Sequence, residues 1–549
     1  MKKHHFKLSA VVILCSVALA GCGGGAVGTS GVTSFAANGT VTCTPTGSNS
    51  SKCTLSGTGS QGPATTTPTS TTVTTAAPTA TPSSPVASSV PTTAPITAPI
   101  PTPPITPILP AALPVVAPTD LCAGVPSFGK TLVNYSPLAK PAKGQTVTDP
   151  DFGAKITRIT DALGDWGAGV AIPAYPTSQA WNTDESRLVL YVTDPRKTGA
   201  QTGYAMFDGK TYKFLKWLPI NPADIEQFYW SKTDPSKLVY IDNREASGVI
   251  IMRMMSINVE TGVQTVVHDF MPDIQKLGWP TTGPLRAGYP FSPGGNLELW
   301  GLGAGGIPNV SSQLGLNAFG FNSTTGKITL YKGIALAQAR GTTPFPLKSG
   351  RGWGWPDWSN GTTKVFDLNG NVVRTVAFNS AEHLDSALNA AGDDLLVGTQ
   401  YDGPSGSGNL MVANLTTGVV STLIGQATGD GYPTTGALIG AEAYKNPGWV
   451  VEGITGDIHL TKTYLDQEVL LANVDTKQIC RIAHHRSTGY WANATTNNYW
   501  AQTNVTISPS GTRILVQSDW GAAKPGSGVV ADPNAVIDTY VITLPSYKS

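Results

Sequence analysis

The sequence predicts an all-β fold, a seven-bladed β-propeller, preceded by a signal peptide and a disordered Thr/Pro-rich linker. Three observations point there. Residues 8–119 carry a single charged side chain, Lys52, and their last aromatic is Phe35, so this stretch lacks the composition of a soluble domain. Residues 120–549 contain no long run of 3.6-residue periodicity, but many short β-branched or aromatic runs separated by Gly, Asp, Asn and Pro, which is strand-and-turn patterning. One phrase also recurs through them: an aromatic-rich run, a tight polar turn, then a run of Leu, Val and Ile.

Charge excludes one class of partner. The four lysines are the only charges in the first 119 residues, so residues 120–549 hold 32 basic and 35 acidic side chains, a net charge of −3. Such a domain offers no basic footprint for nucleic acid.

At the N terminus, Lys2, Lys3 and Lys7 precede an apolar run over residues 8–20, too short for a comfortable membrane span and flanked like an export signal. It ends in Leu19-Ala20-Gly21-Cys22, followed by Gly23-Gly24-Gly25, which resembles a bacterial lipobox and its tether. The resemblance implies a lipoprotein signal peptide over residues 1–21, acylation of Cys22, and attachment to the membrane through lipid. No Asp follows Cys22, which by the same resemblance favours the outer membrane, with the domain periplasmic or surface-facing in the cell envelope. The alternative is an ordinary signal peptide with a chance cysteine.

Export implies an oxidising compartment, and with Cys15 removed and Cys22 acylated, Cys43, Cys53, Cys122 and Cys480 remain. In the tether, residues 22–53, Cys43 and Cys53 bracket a small polar loop, and bridging it contributes about 2–3 kcal/mol on the chain-entropy account. A bond from Cys122 to Cys480 would tie the first segment of the domain to a late one; two unpaired buried thiols are the alternative. Residues 54–119 are Thr, Pro, Ser and Ala, as in Pro101-Thr102-Pro103-Pro104, a proline density that leaves an extended, uncharged stalk.

In the domain, residues 120–549, the phrase appears as Ala180-Trp181-Asn182-Thr183-Asp184-Glu185-Ser186, as Phe228-Tyr229-Trp230-Ser231-Lys232-Thr233-Asp234, and as Thr506-Ile507-Ser508-Pro509-Ser510-Gly511. Each copy leads to a second hairpin with a polar turn, such as Phe207-Asp208-Gly209-Lys210 or Leu415-Thr416-Thr417-Gly418. Two hairpins per repeat make a four-stranded antiparallel unit, and units that cannot bury both faces alone close into a ring. Counting the irregular copies around residues 355–378 and 449–482 gives seven. The strand at 155–160 is expected to complete the blade built by residues 504–544. A pair of Greek-key sandwiches is the alternative fold. The Ser-Pro-x-Gly turn with its following apolar strand resembles the TolB-like and oligogalacturonate-lyase-like propellers, relatives in architecture of the WD40-like repeats. Asp149-Pro150-Asp151-Phe152-Gly153 before Lys155-Ile156-Thr157-Arg158-Ile159-Thr160 is similar to the opening of the second group.

In a propeller the inner strands open at one face, and the loops after the second strands return to it. The residues opening the inner strands read as Gln179, Gln227, Arg286, Trp353, His383 and Gln502; those ending the second strands as Asp194, Asp242, Asp402, Asp457 and Asp519. Carboxylates at Asp194, Asp242 and Asp402 are candidate oxygen ligands for a divalent cation, although Asp is also a favoured turn initiator. His383 is a candidate general base or metal ligand, with a hydrogen-bonded structural role as the alternative. His484, His485 and Arg486, with Tyr490, Trp491, Tyr499 and Trp500, combine aromatic faces and polar groups as sugar platforms do, and Trp353, Trp355 and Trp358 form a second such set; packing between blades accounts for either set equally.

No phosphate loop, zinc-binding His-Glu-x-x-His or Gly-x-Ser-x-Gly elbow is present. The lyase resemblance implies β-elimination on a uronate, with Arg286 on the carboxylate and His383 with Tyr289 or Tyr490 as base and acid. The family's metal-binding histidine cluster has no clear counterpart, since His268, His459, His484 and His485 do not open inner strands. The leading expectation is therefore a monomeric, lipid-anchored envelope propeller that binds a glycan or another extracellular or periplasmic ligand; a uronate lyase and a TolB-like scaffold for an envelope protein are the alternatives. Cys22→Ser should release the protein into the soluble fraction, checked by cell fractionation; continued sedimentation with membranes would contradict the lipobox.

Overall fold

The structure is a computed structural model. It describes residues 119–548 apart from 195–199, 243–250, 282–284, 289–292, 305–316, 334–343, 358–359, 379–382, 401–407, 431–436, 456–463, 488–499, 522, 525–528 and 531–534, together with the backbone of residues 35–36, 39–47 and 50–56. The chain divides into two units, Met1–Ala111 and Ala112–Ser549. In the first, Gly39–Gly47 and Ser50–Ser56 form an antiparallel hairpin extended by Phe35–Ala36, and Cys43 stands directly opposite Cys53. Cys22, the expected signal peptide and the stalk lie outside the described residues.

The second unit is a seven-bladed propeller of antiparallel sheets whose strands follow one another in sequence from the channel outward. Blade 1 holds Val170–Ile172, Arg187–Thr193, Gly203–Asp208 and Phe214–Leu218; blade 2 holds Phe228–Trp230, Lys237–Asp242, Arg253–Asn258 and Gln264–Asp269. Blades 3 to 6 repeat the plan from inner strands Arg286–Ala287, Phe345–Pro346, Leu384–Leu388 and Ala437–Gly440. Blade 7 takes Val505–Ile507, Arg513–Ser518 and Asp538–Thr543 from the end of the chain and Lys155–Arg158 from its beginning, with Thr146–Thr148 as a fifth strand. Tyr540 pairs with Arg158 and Ile542 with Ile156, so the ring closes as the sequence indicates.

The second strands are apolar on both faces because they are covered by the neighbouring blades on both sides, whereas outer strands such as Gln264–Asp269 and Val372–Val376 are exposed. Val451, Val469 and Ile482 of blade 6 pack with Val505, Ile514, Tyr540 and Ile542 of blade 7, for example. The turns between third and outer strands are set by a recurring Asx side chain. Asp208 accepts the N–H groups of Lys210 and Thr211 at 3.0 and 2.7 Å, and Asn258 those of Glu260 and Thr261 at 3.0 Å. Asn322 of blade 3 and Asn473 of blade 6 do the same. These contacts hold the Asp208 carboxyl below its usual range.

Residues 120–148 form a strap across the outer edges of blades 6 and 7. Cys122 is bonded to Cys480 on the outer strand of blade 6, across 358 residues of sequence. Arg481 Nη1 donates to the carbonyls of Gly129 and Thr131, Arg486 Nη1 to that of Ser136, and Trp520 Nε1 to that of Leu138. Cys480→Ser is therefore expected to lower stability by about 2–5 kcal/mol, read from the midpoint of denaturant unfolding; an unchanged midpoint would mean that the strap contributes nothing to the ring.

Candidate functional site at the channel mouth

The mouth is shaped by breaks in the inner strands. In blade 1, Val170–Ile172 pairs with the end of the second strand, and the ladder resumes only where Trp181 bridges Leu188. Between them lie Pro173 and Pro176, which have no N–H to donate to a ladder. The excursion reaches its neighbours instead: Ser178 Oγ donates to the Glu226 carbonyl at 3.1 Å, and Thr506 Oγ1 to that of Tyr175 at 3.3 Å.

Before the inner strand of blade 2, the loop carries Asp224 and Glu226. Arg286, on the inner strand of blade 3, places Nη2 2.5 Å from Asp224 Oδ2, with the two side chains 34% and 30% exposed. Glu226 is buried, and its carboxyl is held well above the usual carboxylate range, by desolvation first and then by the neighbouring Asp224. Burial thus favours the neutral form of Glu226 beside the Asp224–Arg286 ion pair. Tyr204 Oη donates to the carbonyls of Asp224 and Ile225 at 3.3 and 3.4 Å. The buried Tyr229 hydroxyl, raised by burial and by Glu226, has no hydrogen-bond partner. Half-buried Tyr191 extends this wall toward the seam. Its ring stacks on Trp500 at 6.4 Å with an interplanar angle of 27°, while its hydroxyl feels the charges of Asp224 and Glu226. Stacked ring faces, a forked cation and two neighbouring acidic groups are thereby brought together from blades 1, 2, 3 and 7.

Below the mouth, charged side chains from several blades meet. Lys348 and Glu442 form a buried ion pair. Asp385 accepts the N–H groups of Ser386 and Ala441 at 2.8 and 2.7 Å, and burial, reinforced by Glu442, pushes its carboxyl up to about 8. Lys232 lies 5.6 Å from the centre of the Tyr444 ring, its ammonium lowered to about 8 by desolvation and by Lys348. The cavity left among these groups is about 20 Å³, room for about one water.

The sequence-derived candidates divide. Arg286 stands in the mouth, and His383 is half-buried at the start of the inner strand of blade 5, its carbonyl accepting the Thr399 N–H at 2.9 Å. Gln502 is half-buried just before the inner strand of blade 7. Gln179 is committed to structure: Nε2 donates to the carbonyls of Glu442 and Ile507, and Oε1 accepts the Trp181 N–H. Gln227 likewise accepts the Ala287 N–H at 2.7 Å. Such side chains bridge one blade to the next. Trp353 corrects the expectation outright: it lies on the second strand of blade 4, 1% exposed, donating to the Trp300 carbonyl and packed with Tyr331. Trp355 joins the same packing. His485 is also interior, its Nε2 on the Ile454 carbonyl at 2.8 Å and its Nδ1 met by the Ser487 N–H and Thr503 Oγ1. Arg486 and Asp519 are buried where blades 6 and 7 meet the strap. Asp194 and Asp242 end second strands as expected, but the one group of three close ligand atoms among the described residues is Asp149, Asp151 and His484. Tyr289, Tyr490, Trp358, Asp402 and Asp457 lie outside the described residues. Asp224 and Glu226 were not singled out by sequence; their signal was an acidic pair two residues apart immediately before an inner strand.

No known family's sequence profile matches this chain, and no curated protein sequence does either. Among solved structures, it is similar to an oligogalacturonate lyase in complex with manganese, at 13% identity over 76% of this chain and 98% of that one, with a TM-score of 0.48. It is also similar to an oligogalacturonate lyase from Vibrio parahaemolyticus, at 13% identity over 74% and 97% with a TM-score of 0.49. A third is TolB from Acinetobacter baumannii, at 16% identity over 57% and 62% with a TM-score of 0.28. These are the propeller groups that the repeat phrase resembles, and the likeness is one of fold.

The channel charges have a pH signature. Between the ordinary aspartate range near 4 and about 8, the unfolded chain has released the Asp385 proton while the folded chain retains it. The folded state then binds more protons, so this contribution to stability falls as pH rises and is fully lost above about 8. Asp385→Asn, which cannot ionise, should gain on the parent protein between pH 5 and pH 8 in denaturant midpoint; a gap constant with pH would contradict the buried neutral carboxyl.

Proposed function

We propose that this protein is a lipid-anchored propeller of the bacterial cell envelope that binds a glycan at the mouth formed by blades 1, 2, 3 and 7. The observation that carries the reading is the stacked Tyr191–Trp500 pair beside Asp224, Glu226 and Arg286. Pyranose rings present apolar faces to aromatic rings, and their hydroxyls take hydrogen bonds from guanidinium and carboxyl groups. The lipobox supports the anchor.

A second reading, lysis of a uronate polymer by β-elimination, is favoured by the raised Glu226 carboxyl beside the Asp224–Arg286 pair. The reaction requires a cation on the uronate carboxylate, a base for the α-proton and an acid for the leaving oxygen. Arg286, Asp224 and Glu226 are the groups of those types that meet here.

Affinity electrophoresis of the full chain against polygalacturonate, alginate and a neutral glucan tests the first reading. Trp500→Ala and Arg286→Ala should each weaken retention by about tenfold or more, the effect of losing a stacking face or a charged hydrogen bond, while the melting temperature stays within a few degrees. Retention by none of these polymers, or retention unchanged in both variants, would contradict it. Unsaturated product absorbance on polygalacturonate separates the second reading, with Glu226→Gln expected to abolish turnover and keep retention.

A further inference from the structure

We propose that Asp149, Asp151 and His484 bind a divalent transition-metal ion, zinc in the first instance, that clamps the strap and the closing hairpin to blade 6. The three residues come from two elements far apart in sequence. Asp149 and Asp151 form the turn between Thr146–Thr148 and Lys155–Arg158, the hairpin that closes the ring, while His484 ends the outer strand of blade 6. One ligand atom from each lies within 4.8 Å of the others.

The carboxylates are fixed before any ion arrives. Asp149 Oδ1 accepts the N–H groups of Asp151 and Phe152 at 2.9 and 3.2 Å, which leaves Oδ2 toward His484, whose main-chain N–H stands at 3.3 Å. Asp151 is held by the strap, through Ser136 Oγ at 2.6 Å and Ser136 N–H at 2.8 Å. The independent observation is the imidazole itself. His484 is 0% exposed, wedged edge-on between the rings of Tyr135 and Phe152 at 4.8 Å each, and neither ring nitrogen has a hydrogen-bond partner. Its Nδ1 is 3.7 Å from Asp151 Oδ2. That is too long for a hydrogen bond and close to the separation of two ligands that each stand about 2.0–2.2 Å from one ion.

The cation already present does not close the group. Arg486 lies between Tyr135 and Trp520, at 5.0 and 5.9 Å from their ring centres, and gives Nη1 to the Ser136 carbonyl. Its Nη2 stops 3.6 Å from Asp149 Oδ2 and 3.9 Å from Asp151 Oδ2, and makes no hydrogen bond. Two carboxylates thus face one guanidinium at a distance. An imidazole with two carboxylates suits zinc and its first-row neighbours, whereas calcium and magnesium favour sets made wholly of oxygen.

The test uses the full chain stripped with EDTA, carrying His4→Asn and His5→Asn to remove the adjacent histidines near its N terminus. Titration calorimetry with zinc chloride should show one equivalent bound, a rise in melting temperature of several degrees, and no comparable effect of calcium or magnesium chloride. His484→Gln and Asp151→Asn should each weaken binding by tenfold or more, while His268→Gln, at the half-buried His268–Asp273 pair, should leave it intact. Absence of binding, or binding that His484→Gln leaves unchanged, would overturn the proposal. Should His484→Gln fail to fold, zinc-edge X-ray absorption on the chain with His484 intact decides: a shell of one imidazole with oxygens supports the site, and a shell without imidazole overturns it.

Discussion

A ring of sheets exposes two raw apolar faces until it closes, and here closure is the pairing of Lys155–Arg158 with Asp538–Thr543. The polar groups at that seam are organised around one fully buried carboxylate. Asp538 accepts from Arg158, from the Thr160 hydroxyl and from the Ala162 N–H, and Lys140 of the strap reaches it at 2.9 Å. Across the same seam Arg513 of blade 7 donates to Glu185 of blade 1 and lies 5.0 Å from the Trp181 ring centre. A buried charge is costly unless paired and hydrogen-bonded, so these contacts form together only when the ring is complete. The mouth inherits the dependence, because its aromatic wall joins Trp500, just ahead of blade 7, to Tyr191 of blade 1.

The channel reverses the usual layering of a domain. Its axis holds Lys348, Glu442, Asp385 and Lys232 where a sandwich would place Leu and Val. The geometry supplies the reason. Inner strands diverge around an axis, leaving a gap too wide for aliphatic contact, and longer polar side chains span it by reaching backbone groups of other blades. Gln179 and Asp385 each do so. The ring is thus joined through its centre as well as through its seam.

Much of the fold was legible because the repeat writes the same local physics in each blade: a two-faced apolar strand, then a turn nucleated by Asp or Asn. The closing strand was legible because Asp538–Thr543 had no later partner in sequence. The site was legible only in part. Polar residues opening inner strands have two uses in a propeller, bridging blades or facing ligand, and sequence does not separate them. Gln179 and Gln227 bridge, whereas Arg286 is half-exposed in the mouth. Trp353 was misplaced because blade 4 opens with Phe345–Pro346, which carries no aromatic phrase, so the Trp-rich second strand was taken for the inner one. Asp224 and Glu226 sit in a loop without periodicity, and their significance arises only from Arg286, some sixty residues away, and from burial.

Native-state hydrogen exchange of the full chain tests the closure most directly, because the slowest amides in a two-state ring open only with global unfolding. Peptides covering residues 155–158 and 538–543 should exchange together and as slowly as the second strands of blades 5 and 6. Faster, independent exchange of residues 155–158 would show an open ring edge, and would contradict both the seam and the mouth built upon it.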